Sequence, residues 1–183
     1  MKGLNHLLSS IKHELVYSAR DAMIESIEFD SRSCSAGSLF VAVEGHSLDG
    51  HDYLESAYEN GCRAFVIDRK VNFSADAISM VLVDDSSEAI ALLSDSFFDS
   101  PSKEIKLIGI TGTNGKTTCA TLMYDLFNGL GYKTGLLSTV VNKVGNEAVK
   151  ATHTTPNPVE LNNLLREMVD AHCSHCFMEV SSH

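Results

Sequence analysis

The chain has 183 residues, 44% hydrophobic and 21% charged, with a formal net charge of -10, a pI near 5.1 and a mean hydropathy of +0.00. That is ordinary globular composition for one large or two small domains, and the acidic balance argues against a partner such as nucleic acid met through a general basic field, so an anionic ligand has to be held locally. No apolar run reaches the ~20 residues of a membrane-spanning helix, and the start "MKGLNHLLSSIKHELVYSARD" lacks the apolar core and small-residue cleavage site of a leader, so a cytoplasmic chain without membrane insertion is expected.

In chain order, "IESIEFDSR" from Ile24 and "SLFVAV" from Ser38 read as strands, with Gly37 supplying a turn before the second. "DYLESAYENG" has helical spacing and closes at Gly61; "RAFVID" and "SMVLVD" are again apolar enough for buried strands. Asp84, Asp85 and Ser86 offer N-caps for the helix "SEAIALLSDSFF". The polar segment "DSPSKE", Asp99 to Glu104, separates this unit from the next, giving domains over 1–100 and 105–183.

The second unit opens with the strand "KLIGI", turns through glycines and continues as a helix with Leu122, Met123, Leu126 and Phe127 on one side, ended by Gly129 and Gly131. "TGLLSTVV" reads as a strand and "VNKVGNEAVKAT" as a hairpin around Gly145-Asn146, with a loop as the alternative. Asn157, Pro158 and Glu160 form a helix start for "VELNNLLREMVDAH", and "CFMEVSS" is a last apolar strand. Strands alternating with helices imply a largely parallel sheet, so the fold class is α/β in both units. The five cysteines are odd in number and scattered, which fits reduced thiols; "HCSHC", His172 to Cys176, has one zinc-like pair but no second pair at suitable spacing, so ordinary helix-end residues are expected there.

The segment "KLIGITGTNGKTTCATLMYDLF" carries the strongest chemical signal. A strand that ends in a glycine turn and feeds a helix aims several backbone N–H groups and the positive helix end at one point, where phosphate belongs. In such loops the lysine reaches the terminal phosphates and the next hydroxyl ligates magnesium, here Lys116 and Thr117. The strict pattern wants glycine at 110; this chain has Ile110, with glycines at 109, 112 and 115. Glu179, an acid inside an apolar strand, is the candidate second oxygen for the metal, because burying it is costly unless something cationic meets it.

"GITGTNGKTT" resembles the phosphate loop of the Mur ligase family and of the related folylpolyglutamate synthetases, and "FDSRSCSAGSLFVAVEGHSLDGHDYLESAYENGC" is similar to the uridine-nucleotide-binding domain of two members of that family. "HTTPNP" and "MEVSSH" resemble the member that acts on UDP-N-acetylmuramoyl-L-alanyl-D-glutamate. The resemblance implies a small mixed α/β domain for the uridine nucleotide followed by a P-loop domain. It implies ATP bound at Gly112, Thr113, Asn114, Gly115, Lys116, Thr117 and Thr118, with Lys116 catalytic, and Mg2+ on Thr117 and Glu179. It places the UDP part on Phe29, Ser31, His46, Ser47 and Leu48, and the sugar-peptide part on His153, Thr154, Thr155 and Ser181.

The implied reaction is ATP-dependent addition of a diamino acid, meso-diaminopimelate by preference or L-lysine, through an acyl phosphate, by a monomer. Family members are longer, so the resemblance also implies that this chain is a fragment ending inside a motif, with a truncated P-loop domain, and inactive alone. A folylpolyglutamate-synthetase-like ligase and a UDP-sugar-binding module without turnover are the alternatives.

Overall fold

A computed structural model describes residues 1–17, 21–45, 47–149 and 156–180. The chain divides into two compact α/β units, Met1–Phe97 and Phe98–His183.

The first unit begins with β1 (Lys2–Gly3), α1 (Leu4–Leu8) and β2 (Glu14–Tyr17), followed by β3 (Met23–Ile24), β4 (Ser26–Glu28), β5 (Ser38–Val41), α2 (Leu54–Glu59), β6 (Ala64–Ile67), β7 (Ser79–Leu82) and α3 (Ser86–Phe97). A five-stranded sheet runs in the order β2-β7-β6-β5-β4, with β4 to β7 mutually parallel and β2 antiparallel to β7; β1 and β3 pair separately. Every residue of β5 and β6 is buried, which is why these strands read as unbroken apolar runs. Phe40, Phe65, Ile67 and Met80 pack with Leu54 and Cys62, and Phe73 meets Phe65 edge-on at 5.6 Å between ring centres. Asp85 caps α3, its Oδ1 accepting from the N–H groups of Ser87 at 2.7 Å and Glu88 at 3.1 Å.

The second unit contains β8 (Lys106–Ile110), α4 (Lys116–Gly129), β9 (Thr134–Leu137), β10 (Asn142–Val144), β11 (Glu147–Val149), α5 (Pro158–Asp170) and β12 (His175–Glu179). Its sheet runs β11-β10-β9-β12-β8, with β8, β12 and β9 parallel and the β10–β11 hairpin antiparallel at one side. Strand β12 is therefore an inner strand, and its Met178 is level with Gly109 of β8 and Leu137 of β9. Side chains alternate across this sheet: Leu136 and Phe177 pack with Ala120 and Tyr124 of α4, whereas Leu137 and Cys176 pack with Leu164, Leu165 and Met168 of α5. Cys173 belongs to the second cluster, and burial pushes the Cys176 thiol up to about 12. The start of α5 is a complete capping box: Asn157 Oδ1 accepts from Val159 and Glu160 N–H, and Glu160 reaches back to the Asn157 N–H.

Two expectations are corrected. The buried face of α4 is Ala120 and Tyr124, with Phe127 partly covered, while Leu122 and Leu126 are 62% and 55% exposed and Met123 is exposed too. The helix carries two apolar stripes, and the one with a small residue and a tyrosine whose hydroxyl donates to Gly145 O at 2.7 Å is the one that fits the sheet. The strand expected over "TGLLSTVV" stops at Leu137, because Ser138 Oγ accepts from the N–H of Val141 at 3.1 Å and donates to Val141 O at 2.7 Å, closing a turn.

Candidate functional site

Three parallel strands of the second unit end at a common level, and ligands of open α/β sheets bind beyond such carboxyl ends. The loop after β8 turns through Gly112 at φ +148° and Gly115 at φ +80°, both in the region that disfavours side chains. Gly115 is the N-cap of α4 and no side chain caps the helix, so its first N–H groups face the loop. A Cβ on Gly115 would meet nothing within 4 Å, so the constraint is conformational and the space beside the loop is open.

Lys116 folds back across this loop and donates from Nζ to Gly112 O at 2.7 Å. Thr113, Asn114, Thr118 and Cys119 are exposed along the loop and first helical turn. Thr117, on the next position, points at the end of β12, its hydroxyl lying 3.1 and 3.0 Å from Glu179 Oε1 and Oε2. Thr139, in the turn after β9, donates to the same carboxylate from both its N–H and its hydroxyl, each at 3.1 Å from Oε2. Burial alone would raise the pKa of Glu179; the Thr139 N–H, the Thr117 and Thr139 hydroxyls and nearby Lys116 outweigh it, and the carboxyl sits below its ordinary value. An ionised carboxylate beside a hydroxyl, at an uncapped helix start with a lysine, is a hard-oxygen donor set suited to Mg2+ carrying a phosphate chain.

Phe29, Ser31 and Leu48 of the first unit line one cleft of about 550 Å³, together with Arg32, Val43 and Tyr53. Leu48 is 67% and Phe29 44% exposed, whereas Ser31 is buried. Large apolar side chains held open around a cleft with a few polar groups are the usual make-up of a small-molecule site. Arg32 is pinned by Asp30, Nη2 to Oδ2 at 2.6 Å and Nε to Oδ1 at 2.9 Å, and this pairing holds the Asp30 carboxyl below its ordinary range. Ser47 is exposed in the neighbouring turn.

Thus Lys116, Thr117 and Glu179 come together in one unit, and Phe29, Ser31 and Leu48 in the other. His46, His153, Thr154, Thr155 and Ser181 lie outside the described residues. Sequence reasoning passed over Thr139, Arg32 and Tyr53. Arg32 stands inside "FDSR", and the signal for Thr139 was a polar pair immediately after an apolar parallel strand.

Residues 110–183 match the Mur ligase middle domain, and residues 23–98 match the catalytic domain of the Mur ligase family. A relative from Cytophaga hutchinsonii, named UDP-N-acetylmuramoyl-L-alanyl-D-glutamate--2,6-diaminopimelate ligase, is 50% identical over 165 residues, covering 89% of this chain and 34% of the relative. Among solved structures, one of a UDP-N-acetylmuramoyl-L-alanyl-D-glutamate--2,6-diaminopimelate ligase matches the fold with a TM-score of 0.72 at 20% identity, over 87% of this chain and 32% of that one. The MurF ligase from Thermotoga maritima in complex with ADP matches with a TM-score of 0.53 at 26% identity, over 84% of this chain and 31% of that one. The chain spans about a third of the length of the curated relatives it matches. With both modules following one another along a single chain, this protein belongs to the Mur ligase family.

Proposed function

We propose that this chain supplies the UDP-substrate-binding and ATP-binding parts of a ligase that joins 2,6-diaminopimelate to UDP-N-acetylmuramoyl-L-alanyl-D-glutamate, a step in peptidoglycan precursor synthesis. The observation that carries this reading is the convergence of the Thr117 hydroxyl and the Glu179 carboxylate beside Lys116 at the head of α4. The Phe29–Ser31–Leu48 cleft and the printed names of the relatives support it.

In the reaction, a carboxylate oxygen of the substrate's D-glutamate attacks the γ-phosphorus of ATP, the bond to the β-phosphate oxygen breaks and ADP leaves. The amine of the incoming amino acid then attacks the acyl carbon of the acyl phosphate, a C–N bond forms, the amine gives up a proton and inorganic phosphate departs. Lys116 exchanges its contact with the Gly112 carbonyl for the transferring phosphoryl group, and the N–H groups from Gly112 to Thr118 hold the phosphate chain in line. Thr117 and Glu179 would hold Mg2+, which when bound would supply neutralisation of phosphate charge. No side chain acts as a covalent nucleophile.

Phe29, Ser31, His46, Ser47 and Leu48 hold the UDP part, and His153, Thr154, Thr155 and Ser181 hold the sugar-peptide. The setting is the cytoplasm, where ATP is available and thiols stay reduced; the five cysteines are free. Titration calorimetry of the chain with UDP-N-acetylmuramoyl-L-alanyl-D-glutamate, and separately with ATP and Mg2+, is expected to give saturable binding of both. Binding of folate in place of the UDP compound, or none of it by a chain with a folded circular dichroism spectrum, overturns the reading.

A further inference from the structure

The turn that carries Ser47 and Leu48 is closed at its base. Glu44 and Asp49 form an antiparallel bridge, Gly45 N–H donates to Leu48 O at 2.8 Å, and Gly50 N–H donates to Val43 O at 2.9 Å. Gly50 has no room for a side chain, since a Cβ would stand 2.7 Å from Val43 N and 2.9 Å from Val43 O.

Two side chains that the reaction does not use, an imidazole and a guanidinium, converge on this base. The His51 imidazole is almost fully buried, with Nδ1 2.7 Å from Asp49 Oδ1 and Nε2 3.2 Å from Asp68 Oδ1. Asp68 follows β6 directly and is itself fixed, its Oδ2 accepting from Ser86 Oγ of α3 at 2.6 Å. Arg69, the next residue, spans both ends of the turn: Nη1 lies 3.0 Å from Glu44 Oε2, and Nη2 pairs with Asp49 Oδ2.

An imidazole removed from water between two carboxylates is costly to build unless the contacts fix something. Here they tie the exit of the turn to the carboxyl end of an inner parallel strand, and Arg69 straps its entry to its exit. Gly45, Leu48 and Gly50 all line the 550 Å³ cleft, so the strapped turn forms one of its walls.

We propose that His51 and Arg69 are positioning residues that preorganise the Glu44–Asp49 turn and thereby set the affinity of the cleft for a uridine nucleotide. The inference rests on the reading that this cleft takes the UDP part of the substrate. A flexible wall would have to be ordered at the moment of binding, and that ordering is subtracted from affinity; a strapped wall avoids it. A guanidinium suits the task because its planar fork holds two carboxylates at once, which a lysine ammonium on a single flexible stem does poorly.

The test is calorimetric titration of the chain with UDP, and with ATP and Mg2+, for the native protein, His51→Gln, Arg69→Ala, Arg69→Lys, Glu44→Ala and the Glu44→Ala/Arg69→Ala pair, with thermal unfolding of each. Arg69 is partly exposed, so its variants are expected to fold even if His51→Gln does not. Arg69→Ala is expected to weaken UDP binding about tenfold, the scale of one charge-assisted hydrogen bond, with ATP binding and the unfolding midpoint unchanged. Arg69→Lys restores less than half of the loss. The double variant loses less than the sum of the single ones, because both remove the same strap. A native protein that does not bind UDP overturns the reading of the cleft, and this inference with it. A native protein that binds UDP while Arg69→Ala binds it equally well leaves the cleft standing and overturns the strap. An equal loss of UDP and ATP affinity, or a loss that tracks a lowered unfolding midpoint, also overturns it.

Discussion

Thr139 donates to Glu179 twice, from its backbone N–H and from its hydroxyl, each 3.1 Å from Oε2. The carboxylate is thus aimed by the turn after β9 as well as by the helix that carries Thr117. Replacing Thr139 with valine keeps the shape and the N–H but removes one donor to the charged form. ATP affinity in the presence of Mg2+ is expected to fall about tenfold, with affinity for the UDP substrate unchanged. Equal ATP binding by Thr139→Val and native protein would refute a positioning role for this side chain.

The same carboxylate gives a pH dependence with a definite sign. Its pKa in the folded chain is below the ordinary 4.5, so its contribution to stability is complete above about 4.5 and is lost as pH falls through the folded value. Mg2+-dependent ATP binding is expected to hold level through neutral pH and to weaken only in that acid range. In Thr139→Val the decline begins at higher pH, because a donor that favours the ionised form is gone; calorimetry across a pH series reads the difference.

Lys116→Ala removes the ammonium that lies across the glycine loop on Gly112 O. ATP binding is expected to weaken by at least about tenfold while UDP-substrate binding stays unchanged. In a ligation assay of any longer protein containing this chain, turnover would be abolished. Near-native turnover would sink the phosphate-loop assignment.

Ser31 is buried at the wall of the first-unit cleft. Ser31→Ala is expected to weaken binding of the UDP substrate about threefold to tenfold and to leave ATP affinity alone. Equal losses for both ligands would contradict the division of labour between the two units.

Asn157→Ala tests the local physics of α5 rather than ligand binding. Its side chain satisfies two orphan N–H groups at the helix start, so the substitution is expected to cost about 1 kcal/mol in a urea unfolding transition. A change near zero would mean that the turn re-forms its hydrogen bonds with water.

What was legible in the sequence was whatever depends on local chemistry. The glycine turn feeding Lys116 and Thr117, the Asn157–Glu160 capping box and the hairpin turning at Gly145-Asn146 each require particular residue types at fixed offsets, and each stands where those residues stand. The buried face of α4 was misread because periodicity marks both of its apolar stripes equally, and only the packing of Ala120 and Tyr124 on Leu136 and Phe177 decides between them. Thr139 was missed because its partner is 40 residues away and is brought near only when β12 inserts between β9 and β8. His51 was missed for the same reason: nothing in "DGHDY" announces Asp68, which arrives through parallel pairing of β5 and β6.

Cys34, Cys62, Cys173 and Cys176 are buried, while Cys119 alone is exposed, on the first turn of α4 and three positions beyond Lys116. Thiol-directed labels need both access and a thiolate, so under native conditions a maleimide dye will attach at this single place. The chain therefore carries its own attachment point for a fluorophore on the first turn of α4, next to the glycine loop, where a change in emission on adding a nucleotide would report on that loop without introducing any foreign residue.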